Sequence, residues 1–198
     1  TKPIAQKLND SASARWAALI IVSFTMMMGY YVTDLLSPLE EILTAPTAKG
    51  GLGWSAGDYG FFSGSYGLIN VFLLMLFFGG IILDKLGIRF TGILSTALMV
   101  VGVLIKYVAV STDFLGAVFS LGSFHLPMSA AVACLGFAIF GVGCEITGIT
   151  ISKTITKWFT GHEMALAMGV QVALARLGTA AALSANLPMA KATSLGIQ

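Results

Sequence analysis

AAVACLGFAIFGVGCEITGIT, residues 130–150, carries one charged side chain, Glu145, in an otherwise apolar and small-residue run. At 1.5 Å of rise per residue a helix over this stretch covers about 30 Å, the thickness of a bilayer's hydrocarbon core. A segment of that length and polarity reads as a membrane span. A carboxylate within it is expensive, so Glu145 needs a partner or an aqueous cavity.

The rest of the chain has the same character. Of 198 residues, 57% are hydrophobic and only 10% are charged, whereas soluble domains carry about 25% charged residues. Five apolar segments are long enough to cross, at about 16–38, 59–83, 90–110, 128–152 and 164–188. None alternates with the period of a strand, and only helices or closed barrels satisfy the backbone in lipid. The expected fold is therefore an all-α polytopic helical bundle whose partner is the lipid bilayer. The net charge of +2 sits at span ends and forms no basic patch, so no nucleic-acid partner is expected. Cys134 and Cys144, ten residues apart on one helix, are too far apart for a disulfide and match no metal spacing. No cofactor, metal site or enzyme constellation is expected.

Basic residues set the orientation. Lys2, Lys7, Arg15, Lys85, Arg89, Lys153 and Lys157 fall on one side, and Lys49, Lys106 and Lys191 on the other. Seven against three places the N-terminus in the cytoplasm by the positive-inside rule. Trp16 and Trp158 are expected as interfacial anchors on that side. SPLEEIL (37–43) is expected to prolong the first helix past a kink at Pro38. STDFLGAVFSLGSFHLPMS (111–129) is expected to hold a short surface helix, with His125 an ordinary loop residue. Lys106, near a span end, is expected to snorkel.

GGIILDKLGIRF (79–90) closes the second span. Gly80 lets a neighbouring helix approach, Gly87 permits a sharp turn, and Arg89 is placed to pair with Asp84. Gly80, Asp84, Lys85, Gly87 and Arg89 resemble the signature loop of the major facilitator superfamily. The resemblance implies a gating loop that latches the two halves of a transporter. GVGCEITGITISKTITKWFTGHEMALAMGVQVALARLG (141–178) and SYGLIN (65–70) look like the lysosomal dipeptide-uniporter branch and its prokaryotic relatives. YYVTD (30–34) resembles that branch more loosely, and Ile151 and Ser152 stand where it would have Gln and Asn. The resemblance covers the first five of the family's twelve helices, which implies a missing C-terminal transporter half. It also implies a bacterial inner membrane or a lysosomal membrane as the location.

Two intramembrane charges stand out. Gly141, Glu145, Gly148 and Ser152 make one small and polar helix face; Gly169, Ala173, Arg176 and Ala180 make another. Counted from Lys153 and Glu163, Glu145 lies about 12 Å deep and Arg176 about 20 Å. The offset, about 8 Å, is close to the reach of two extended residues, about 7 Å. Glu145 is thus placed to hold the ammonium of a dipeptide and Arg176 its carboxylate, the roles that the resemblance also implies. A structural ion pair between the two is the competing reading. Asn70, Tyr66, Tyr30 and Asp34 are candidates to line the same cavity, with Tyr31 and Gln171 behind them. The expected function is a secondary transporter of small zwitterionic peptides working by alternating access. The alternatives are a proton-coupled organic-anion carrier of the same fold, or a non-transporting scaffold or half-transporter.

Overall fold

The structure is a computed structural model and describes residues 11–73, 75–112, 114, 116–121 and 124–194. Helix α1 runs Ala12–Thr33, α2 Glu40–Thr44, α3 Ala56–Phe72 and α4 Met75–Ser111. A hairpin of β1 (Val118–Leu121) and β2 (Phe124–Pro127) follows, then α5 (Met128–Phe159) and α6 (Met164–Ser194). The protein is an all-α polytopic membrane bundle. Its outer surface is apolar, with Ile21, Phe72, Phe77 and Ile93 among its exposed side chains.

Among the described residues, four helical stretches are long and apolar enough to cross a membrane: 12–44, 75–111, 128–159 and 164–193, the second being two arms that meet at a non-helical Gly87. The segment 59–83 is divided between α3 and the first arm of α4. Ser55 and Asp58 form a capping box, Ser55 Oγ accepting from the Asp58 amide at 3.1 Å and Asp58 Oδ2 from the Ser55 amide at 2.8 Å. That cap starts α3 at Ala56. The helix then breaks at Leu73, and α4 begins two residues later. One turn before the break, Asn70 Nδ2 bends back to the Tyr66 carbonyl at 3.4 Å. This bond competes with the regular ladder.

Two other local expectations are corrected. Pro38 does not kink a continuous helix. The helix α1 stops at Thr33, Asp34 is its C-cap, and Pro38 enters a 3₁₀ turn over Ser37–Leu39 before α2 begins. Pro38 has no amide N–H to give the carbonyl of Asp34, four residues back, and its ring would crowd that carbonyl in a continuous helix, which favours the stop. The segment 118–127 is an antiparallel hairpin rather than a surface helix, with Phe119 opposite Leu126 and Ser120 opposite His125. Val118 and Phe119 favour a strand, and on the facing strand the burial alternates: Leu126 is buried while His125 is exposed.

Helix α5 is the hub. In its most apolar window 67% of residues are buried, against 22–28% in the other three spans. Helices α4 and α3 pack on it, while α1 lies mainly on α6 and secondarily on α5. Close approach depends on missing side chains. A Cβ on Gly141 would run into the Tyr66 carbonyl, and one on Gly178 into the Met27 carbonyl. Thr147 Oγ1 joins Ser95 Oγ at 2.9 Å across the buried α4–α5 seam.

Two apolar clusters fill the bundle. One, at the hairpin end, includes Trp54, Phe62, Leu126, Phe137 and Phe140, with Phe62 stacked on Phe137 at 4.9 Å. Trp54 Nε1 donates to Ser129 Oγ at 2.9 Å. The other, at the opposite end, includes Leu19, Ile151, Ile155 and Phe159. Trp16 meets Phe159 edge-on at 5.6 Å, and Trp158 packs beside it.

Gly141→Ala should lower the thermal unfolding midpoint in detergent, equivalent to about 1–3 kcal/mol of overpacking. Gly60→Ala, where an added methyl meets nothing within 4 Å, should leave the midpoint unchanged or raise it. Equal behaviour of the two variants in a scanning fluorescence assay would contradict the α3–α5 contact.

Candidate functional site

Glu145 sits on α5, half-buried, one turn beyond Gly141. Its Oε1 accepts a hydrogen bond from Tyr66 Oη at 2.8 Å. Tyr66 is held by the rings of Phe137 at 5.3 Å and Phe140 at 6.5 Å. Its hydroxyl is therefore fixed in place rather than free to rotate toward solvent. The hydrogen bond satisfies one lone pair of the carboxylate and leaves the remaining acceptor sites for a cation.

Arg176 projects from α6 as an exposed side chain, its guanidinium carbon 5.9 Å from the centre of the Tyr30 ring. Tyr30, on α1, lies within electrostatic reach of Glu145, Arg176 and Asp34. Helix α1 packs on both α5, which carries the acid, and α6, which carries the base. Among the described residues no ion pair joins Glu145 to Arg176. Each charge keeps bonding capacity that the other does not use.

The remaining candidates separate into different roles. Asn70 bonds within α3, to the Tyr66 carbonyl, and not across to another helix. Tyr31 Oη donates to Asn186 Oδ1 at 2.6 Å, and Asn186 Nδ2 donates to the Leu35 carbonyl at 3.2 Å. That pair of bonds fastens the broken end of α1 to α6. Gln171 is buried on α6. Asp34 lines a cavity of about 210 Å³ with Tyr59, Phe62, Ser63, Tyr66 and Phe137.

Lys106 does not snorkel. It is 4% exposed; its Nζ donates to the Val32 carbonyl at 3.3 Å and lies 4.2 Å from the Phe137 centroid and 5.5 Å from that of Phe140. Gly102, Lys106 and Ala109 are all buried on one face of α4, so the stem points inward rather than along the bilayer normal. Val32 is in the last turn of α1, where carbonyls lack intrahelical donors and a cation is favoured. Sequence reading missed Lys106 and Asn186. The stripe Gly102, Lys106, Ala109 was the available signal for the first. For the second it was an amide within an apolar run, two residues before Pro188.

The loop at the other end also differs in detail. Gly87 adopts φ 82° and ψ 172°, a left-handed-side conformation that breaks α4 and that side chains disfavour. Asp84 pairs with Lys153 of α5, Nζ to Oδ1 at 2.5 Å, and not with Arg89. Arg89 instead lines a groove beside Val22, Thr25 and Ile151. The glycine that admits a neighbour is Gly79, where a Cβ would come within 2.8 Å of Ile146; Gly80 faces open space. Lys85 is exposed.

No protein-family model and no solved structure matches the chain. Among curated proteins, it is 29% identical over 108 residues to the lysosomal dipeptide transporter MFSD1 of Bos taurus, and 28% identical over the same length to those of Homo sapiens and Danio rerio. The aligned part is 54% of this chain and 20% of each relative, so the match spans about a fifth of the relatives' length. The similarity supports a relation to transporters of the major facilitator superfamily, and the apolar helices make this a membrane protein.

Proposed function

We propose that the chain forms part of a secondary transporter that moves small zwitterionic peptides by alternating access. Glu145 receives the cargo's ammonium and Arg176 its carboxylate, the planar guanidinium offering two parallel donors. The observation that carries this reading is the arrangement around Tyr30. An acid and a base of opposite charge both act electrostatically on the same α1 residue, unpaired with each other. An ion pair that merely joined helices would be closed. The names of the relatives suggest the cargo class, and the look of the 141–178 stretch supports the same reading.

In this reading the N-terminus is cytoplasmic, in a bacterial inner membrane or a lysosomal membrane. A C-terminal half, matching the much greater length of the relatives, closes the far side of the cleft. The turn at Gly80, Asp84, Lys85, Gly87 and Arg89 then lies at the cytoplasmic face. There it couples the two halves, with the Asp84–Lys153 pair holding the turn to α5.

Two experiments test this on the intact protein in liposomes. Glu145→Gln and Arg176→Ala should each reduce kcat/KM for dialanine uptake by about 10- to 100-fold, the loss of one charge-assisted contact. Arg176→Lys should recover only part of it. Uptake that survives both neutralising changes would remove the site. For the turn, Asp84→Lys alone should slow exchange, and the double swap Asp84→Lys with Lys153→Asp should restore most of it. A swap no better than the single change would show that the pair has no part in switching.

A further inference from the structure

The geometry points to a second binding station at the hairpin end of the bundle, an entry subsite that takes the ammonium group of the cargo on Asp34 before Glu145 does. It rests on the peptide-carrier reading above and names a separate place within the same route.

The cavity is small, about 210 Å³, too small for a whole peptide but large enough for an amine and its first carbons. Asp34 is its anion. The carboxylate is half-buried, and among the described residues it makes no hydrogen bond or ion pair. An unsatisfied acid at the edge of the membrane span calls for a cation. The other walls select an organic one. Tyr59, Phe62, Tyr66 and Phe137 present aromatic surface, which attracts ammonium groups, and Ser63 adds a hydroxyl.

The chain already shows that this wall accepts an ammonium. Lys106 Nζ lies 4.2 Å from the Phe137 centroid and 5.8 Å from that of Phe62, two rings that also line the cavity. Lys106 is within electrostatic reach of Asp34 without contacting it. Its charge therefore weakens the hold of Asp34 on any second cation. A weak station suits a carrier, because the cargo must leave it for the next one. Tyr66 links the two stations: its ring lines the cavity, and its hydroxyl donates to Glu145.

The two charges give opposite predictions, which a merely structural role would not. A Ser63→Cys variant of the intact protein, its native Cys134 and Cys144 both buried, reports cavity occupancy by its alkylation rate with a charged maleimide. The probe is alanyl-alaninamide, a monocation without a carboxylate. It should slow alkylation of Ser63→Cys. Adding Asp34→Asn should raise the concentration for half-protection about tenfold, the loss of one charged contact. Adding Lys106→Gln, which keeps a donor for the Val32 carbonyl, should lower that concentration severalfold.

Equal protection in all three backgrounds overturns the station. Equal protection by sodium chloride at the same concentration overturns its assignment to an ammonium. Protection that survives Glu145→Gln supports a station separate from Glu145. Protection lost with Glu145→Gln but kept with Asp34→Asn leaves Glu145 as the ammonium site and sinks the inference. Dialanine uptake by the Glu145→Gln variant tests the transport reading by itself, so the two can fail separately.

Discussion

Tyr66 meets α5 twice, and the arrangement of the bundle hangs on those two contacts. Its backbone carbonyl lies over Gly141, and its hydroxyl donates to Glu145 one turn further along. The first contact requires the absence of a side chain, and the second requires the presence of an acid. Together they fix both the distance and the rotation of α3 against α5. A buried carboxylate would otherwise be a liability in a segment this apolar. Here it is an attachment point, and the polar group that satisfies it comes from a helix that could not approach if residue 141 were any larger.

The same logic recurs at several polar groups within the spans. Lys106 reaches the exposed carbonyl of Val32 and three phenylalanine rings. Asn186 is shared between the Tyr31 hydroxyl and the Leu35 carbonyl. Thr147 meets Ser95 across α4 and α5. Lipid offers these groups no hydrogen bonds, so each one specifies a neighbour. Three charged groups keep bonding capacity where cargo is proposed to bind. Glu145 has spare acceptor capacity, Arg176 projects into open space beside Tyr30, and the Asp34 carboxylate has no described donor.

The fold class was legible because a bilayer imposes one requirement on every span, and the requirement is compositional. Length and polarity of 128–152 or 164–188 are enough to read helices there. Gly87 was legible for a comparable reason, since a two-helix connection that short leaves the backbone few options. The site was legible as a list of residue types but not as a set of partners. Nothing in the order of residues says that Asp84 will choose Lys153 over Arg89, which is much nearer in sequence. The choice depends on which face of α5 arrives beside the turn. Lys106 was misread because nearness to a span end says how deep a side chain starts, and not which way its helix is turned. The hairpin was missed because ten apolar-rich residues between two spans fit a short helix and a β-ribbon about equally well, and the burial of Leu126 decides it.

The fastening of α1 by Asn186 bears on how the molecule is made. Tyr31 and Leu35 lie 155 and 151 residues before the amide that holds them. During synthesis the C-terminal end of α1 therefore enters the bilayer with its break at Asp34 open and its final neighbour not yet translated. Helices α3, α4, α5 and α6 must be made before the joint closes. Until then the nascent chain carries an exposed hydroxyl and a bare carbonyl at membrane depth. That is the sort of interval in which an insertase or a lipid-facing chaperone would find something to hold.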